Sequence, residues 1–192
     1  MSNTSEMIWW PTEVPTLRHG YISLRPPEEA DIQEIYEACQ DPIIPKFTTV
    51  PSPYALSHAE GFIRELAPKH FQERKEMLFV IVSDQRTPDE FCGVISFHTT
   101  NLDNHSTELG YWLAASARGK GIAKIAVELI TDYGLSTVGF RRIEARVDTG
   151  NAASKALLLS AGYALEGILR QKVTRSNGNQ IDMFLFAKVM DN

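Results

Sequence analysis

The sequence predicts a mixed α/β domain: one mostly antiparallel sheet built around a single parallel strand pair, flanked by about four helices. Three observations predict it. Between Met77 and Leu113 three strand-like runs follow one another with no helix between them, which reads as an antiparallel meander. Residues 107–148 then read strand, helix, strand, the pattern of one parallel crossover. Finally, Ser176-Asn177-Gly178-Asn179 is a hairpin turn between two strand-like runs.

The elements follow in chain order. Residues 1–15 form a tail in which two prolines sit near a Trp9-Trp10 pair, and residues 16–192 form the domain. Gly20 to Arg25 alternates as a half-buried strand, and Pro26-Pro27 ends it. Glu28-Glu29 suit a helix start, after which Ile32, Ile35, Tyr36 and Cys39 recur at helical spacing as far as Asp41-Pro42. Residues 42–56 hold four prolines and read as a long irregular loop, of the kind that forms binding elements and lids. A second helix is expected from Ser57 to about Lys75, opened by a Ser57/Glu60 capping box. Leu78–Val82, Cys92–Thr99 and Thr107–Leu113 are the meander strands, with a turn at Arg86–Asp89. Over 119–134 a helix lines Ile122, Ile125, Ala126, Leu129, Ile130 and Tyr133 along one face. Arg142–Asp148 reads as a strand, Asn151–Ala161 as a helix, and Tyr163–Val173 and Ile181–Val189 as the closing strands.

Composition narrows the function. With 192 residues, 43% hydrophobic and 22% charged, the chain suits one soluble domain with a sizeable core. Nineteen basic against 24 acidic side chains give a net charge of −5, which argues against a nucleic-acid binder. No apolar run approaches the length of about 20 residues that spans a bilayer. The first arginine is Arg18, so no charged leader region is seen, and no membrane association is expected. Two cysteines, Cys39 and Cys92, make no disulfide framework; the expected compartment is the cytoplasm. The five histidines are scattered without ligand spacing, and no metal is expected.

The informative stretch runs from Glu108 to Ala123, where a strand gives way to small residues and then to Arg118-Gly119-Lys120-Gly121-Ile122-Ala123 at a helix start. Unpaired N–H groups and partial positive charge at such a start hold phosphate. Gly119 and Gly121 let the backbone approach an anion, and Arg118 and Lys120 add charge. A P-loop is excluded, because Gly121 follows Lys120 where Ser or Thr is required. The dinucleotide fingerprint is excluded by Lys124. A plain, solvated helix start is the alternative.

Arg118-x-x-Gly121-x-Ala123 resembles the coenzyme pyrophosphate loop of the GNAT N-acetyltransferase superfamily. Val147 to Ser154, leading into a helix that ends Ala161-Gly162-Tyr163, is similar to that superfamily's next block. With Leu24-Arg25-Pro26 and Glu166-Gly167, the resemblance runs from about residue 17 to 189. Gly110-Tyr111-Trp112-Leu113 and Asn151-x-x-Ser154 resemble most the subgroup of ribosomal-protein N-terminal alanine acetyltransferases.

The resemblance implies an acetyl-CoA-dependent N-acetyltransferase with a sheet splayed at the parallel pair. Backbone groups of Trp112, Leu113 and Ala114 would meet the pantetheine arm, residues 118–123 the pyrophosphate, and Asn151 the coenzyme arm. Asn151 also reads as an ordinary helix cap. Direct amine attack needs a base and an acid. Glu108 is the candidate base and Ser154 the candidate acid; against these stand a solvent-facing strand carboxylate and a helix-surface hydroxyl. Many superfamily members carry a tyrosine acid seven residues after the Asn, where this chain has Leu158. Tyr111 alternates with Glu108 and is expected to face the core, while His98 follows a strand near Glu108. The expected acceptor is a primary amine, favoured as the α-amine of a protein or peptide N-terminus. A small-molecule amine and a non-catalytic acyl-CoA sensor are the alternatives, and a homodimer stays open.

Overall fold

The computed structural model describes residues 8–175 and 178–190. Eight strands form one sheet in the order β1-β2-β3-β4-β5-β6-β8-β7. Strands β1 (Leu17–His19) and β2 (Ile22–Arg25) form a short hairpin turning at Gly20-Tyr21. They are followed by helices α1 (Asp31–Ala38) and α2 (Ile43–Phe47). Helix α3 (Leu56–Gly61) runs through a π-type turn (Phe62–Leu66) into α4 (Ala67–Gln72). The meander is β3 (Met77–Ser83), β4 (Glu90–Asn101) and β5 (Ser106–Leu113). Helix α5 (Ile122–Tyr133) crosses over to β6 (Arg142–Asp148), the only parallel neighbour among the described strands. Helix α6 (Ala152–Ser160) and strands β7 (Ala164–Thr174) and β8 (Gln180–Val189) complete the chain. Counting 56–72 as one helix, four principal helices and the short α2 flank a mostly antiparallel sheet, as the element order implies.

Alternation along the strands divides the interior in two. The larger core, under α5 and α6, contains Met77, Phe79, Ile81, Phe97, Ile130, Phe140, Ile143 and Phe186. Leu78, Val80, Val82 and Val94 face the other way and pack with Ile35, Ile44 and Ile63 of α1 to α4. β3 is buried at all seven positions because both sheet faces are covered there.

Several boundaries differ from the sequence reading. β1 was hidden in the tripeptide Leu-Arg-His, whose middle and last residues are exposed and carry no apolar alternation. The proline-rich stretch contains α2, held on the core by Ile44. No Ser57/Glu60 capping box forms: the helix opens one residue earlier, and the Ala55 N–H donates to His58 Nδ1 at 3.0 Å. The helix expected over 119–134 starts at Ile122, because Gly119 and Gly121 take φ of +73° and +79°, outside the right-handed helical region. Of the tail, residues 1–7 lie outside the described residues. Trp9 N–H donates to Val138 O, and the Trp10 ring packs on Phe71 at 5.5 Å. Ser176 and Asn177 of the hairpin turn also lie outside the described residues; the Arg175 N–H donates to Asn179 O across it. Both cysteines are buried free thiols. Among the described residues no helix is long and apolar enough to cross a membrane.

Candidate active site

The parallel pairing of β5 and β6 is short. Ser106, Thr107 and Glu108 lie beside Arg142, Ile143 and Glu144, and pairing stops there. Beyond it β5 stays on β4 as far as Leu113, and β6 stays on β8 as far as Asp148. Each strand follows its antiparallel partner, so a wedge opens between residues 109–113 and 145–148, with one strand edge on each wall.

At the end of β5 the chain makes a tight turn and enters α5. The N–H groups of Gly119, Lys120, Gly121, Ile122 and Ala123 donate to no other part of the described chain. Both glycines are left-handed, and nothing lies within 4 Å of where their side chains would be. Five free donors around a helix N-terminus form a cradle for a phosphate or pyrophosphate. Arg118 serves it differently from the expectation of a free cation. Its Nε and Nη2 donate to Leu113 O at 3.1 and 2.8 Å, and Nη1 to Asp41 Oδ2 at 2.6 Å. The guanidinium therefore ties the turn to the strand end and to Asp41, three residues past α1. Leu113 O and the Ala114 N–H, which donates to Cys92 O at 2.9 Å, are likewise engaged inside the chain. Of the three residues expected to offer backbone to an arm, these two groups are already used.

Two sets of side chains flank the wedge, one on each sheet face. On the α5/α6 side Asn151 caps α6, accepting the Ser154 N–H at 3.1 Å. Ser154 Oγ lies 2.6 Å from Tyr111 Oη, which reaches it from the splayed part of β5. Burial pushes the Tyr111 phenol up to about 12. Leu158, where a tyrosine acid would sit, is fully buried in the core. On the α1–α4 side Glu108 is held by a two-pronged ion pair with Arg146 Nε and Nη2. Cross-strand from Glu108 is His98, whose ring lies against Gly110. A cavity of about 250 Å³ opens here, lined by Glu108, Glu144, Arg146, Leu169, Lys172 and Leu185 among others.

Glu108 and Ser154 thus border one wedge from opposite faces, as their attachment dictates: Glu108 and Tyr111 are three residues apart on a strand and point to opposite sides. The sequence reading missed Tyr111 as a site residue; its alternation placed it in the core correctly, but the hydroxyl end of a core tyrosine still needs a partner. Among the described residues no group of three or more His, Cys, Asp or Glu is placed to hold a metal.

In sequence and fold the chain is similar to known acetyltransferases. A family model described as an acetyltransferase (GNAT) domain matches residues 22–164. An uncharacterized N-acetyltransferase p20 of Bacillus licheniformis is 29% identical over 172 residues, 90% of this chain and 94% of that protein. The ribosomal-protein-serine acetyltransferase of Escherichia coli is 32% identical over 104 residues, 54% of this chain and 58% of that protein. Among solved structures, the microcin C7 self-immunity acetyltransferase MccE, in complex with acetyl-CoA and AMP, superposes with a TM-score of 0.78. It is 29% identical and covers 90% of this chain and 94% of its own.

Proposed function

Because the chain belongs to the GNAT acetyltransferase family, and is therefore an acetyl-CoA-dependent N-acetyltransferase, we propose that it acetylates the α-amine of a protein or peptide N-terminus. The observation that carries this is the charge pairing of the cavity beside the wedge. Glu108 is forked by Arg146, and Glu144 is held by Arg142 at 2.6 Å. Among the described residues lining this cavity, no pair of free carboxylates is left to hold a polycation. An α-amine has a reference pKa near 7.7–8.0 against about 10.4 for lysine, so a few hundredfold more of it is free base at neutral pH. A carboxylate already engaged by arginine suits that weaker amine. The similarity to a ribosomal-protein-serine acetyltransferase supports a protein acceptor.

In this reading the 119–123 cradle holds the coenzyme pyrophosphate, aided by Lys120, and the edge of β5 that faces the wedge beyond Glu108 meets the arm. The amine attacks from the Glu108 side. Arg146 uses two of about four acceptor positions of the carboxylate, and the outer ones take the amine proton directly or through water. The thiolate leaves toward the other face, where Ser154 supplies a proton.

The test follows thiol release from acetyl-CoA with a free-Ala peptide, its N-blocked Lys-bearing counterpart, and spermidine. Transfer to the first alone is expected. Good transfer to spermidine with none to the free-Ala peptide would overturn the acceptor assignment. Glu108→Gln should lower kcat/KM by about a hundredfold or more while leaving coenzyme affinity unchanged.

A further inference from the structure

We propose that Tyr111 is the positioning residue of the acid: its phenol donates to Ser154 Oγ and so aims the Ser154 proton into the wedge. This deepens the reading of Ser154 as acid and rests on it, but does not depend on which amine is the acceptor. Four observations converge. The oxygens are 2.6 Å apart, a short distance for two neutral hydroxyls. The contact spans the wedge, from the splayed part of β5 to the first turn of the helix that follows β6. Ser154 is held a second time through its N–H by the Asn151 side chain. Finally, the site that a tyrosine acid would occupy is filled by the buried Leu158.

The direction of the bond follows from chemistry. A phenol is a far stronger donor than an alkyl hydroxyl, so Tyr111 donates and Ser154 accepts. That leaves the serine hydrogen free to turn away from β5's side chain and toward the space between the strands. Burial keeps the phenol protonated across the working pH range, so it remains a donor throughout. As the C–N bond forms and the C–S bond breaks, the bonding pair stays on sulfur. Sulfur takes the Ser154 proton, and the charge developing on Oγ is stabilised by the phenol's hydrogen bond. The proton lost by the attacking amine leaves on the Glu108 side, and water restores the Ser154 proton as the products depart. A lone serine hydroxyl would be a poor acid for this step; one with a fixed donor behind it is a better one.

The experiment is a double-mutant cycle on kcat with Tyr111→Phe, Ser154→Ala and both together, read in two reactions. One is amine transfer to whichever acceptor works; the other is the slow hydrolysis of acetyl-CoA with no amine present, which shares the thiolate step. Coenzyme affinity by calorimetry and melting temperature are recorded for each variant. Ser154→Ala is expected to lower kcat about a hundredfold and Tyr111→Phe at least about tenfold, with the double variant no worse than Ser154→Ala. Coenzyme affinity should stay within about twofold. Losses that multiply, or a Tyr111→Phe variant with wild-type kcat, would overturn the proposal, since a packing role for Tyr111 predicts independence from Ser154. A wild-type protein inert in both reactions would overturn the acetyl-transfer reading of the site, and this proposal with it.

Discussion

Arg118 is the residue whose sequence context pointed most directly at the coenzyme, and its side chain is committed inside the protein. Replacing it with lysine keeps the charge but loses the planar fork that spans Leu113 O and Asp41. Arg118→Lys should therefore cost about 1–2 kcal/mol of stability in a denaturant titration. A large loss of coenzyme affinity with unchanged stability would instead make Arg118 an anion ligand. Its partner carries a pH signature. Asp41 is held below the usual carboxylate range by the Ile43 N–H and by Arg118. A carboxylate with a depressed folded pKa adds stability above its unfolded value near 3.9 and loses it as pH falls through the folded one. Asp41→Asn should consequently lower the melting temperature at pH 7 and narrow the difference between pH 7 and pH 3. An unchanged acid sensitivity would remove Asp41 from that account. The glycines at 119 and 121 were legible in the sequence because their chemistry is a backbone property. What Arg118 and Tyr111 touch was not, since those partners come from elements 77 and 43 residues away.

At the level of elements, long periodic runs were legible and short ones were not. β6 matches its expected bounds, with its alternating burial visible as Ile143, Ala145 and Val147. β1 and α2, at three and five residues, are stabilised by neighbours and not by their own pattern. The wedge was legible only through resemblance: nothing in the sequence of β5 or β6 says where their pairing stops, because each strand is fixed by its other neighbour. The crossover helix shows how closely that neighbour packing is set. At Gly134, one residue past α5, a Cβ would come within 2.5 Å of Phe97 Cζ and 3.0 Å of Ile143 Cδ1. Gly134→Ala should destabilise the protein by about 1–3 kcal/mol, read from the denaturation midpoint, through a displaced π-type turn above β4 and β6. A neutral substitution would show that the turn lifts off the sheet at little cost.

The whole molecule is a sheet with unequal cover. On one face α5, twelve residues long and continuous with its π-type turn, seals the larger core. On the other, α1 and α2 are helices of eight and five residues that lie, with the continuous helix over 56–72, on a smaller core. Short helices have few internal hydrogen bonds beyond their ends and open with little free energy. Amide hydrogen exchange should therefore be slowest in β3 and β4, buried between both layers, slower in α5 than in α1, and fastest among the helices in α2. Adding acetyl-CoA tests the site at the same scale. The free donors at 119–123 and the open edge of β5 are the amides a bound coenzyme would engage, so protection should rise there while α1 and α2 change little. Protection appearing first in α1 and α2, with the 119–123 amides unaffected, would place the anion elsewhere and overturn the cradle assignment.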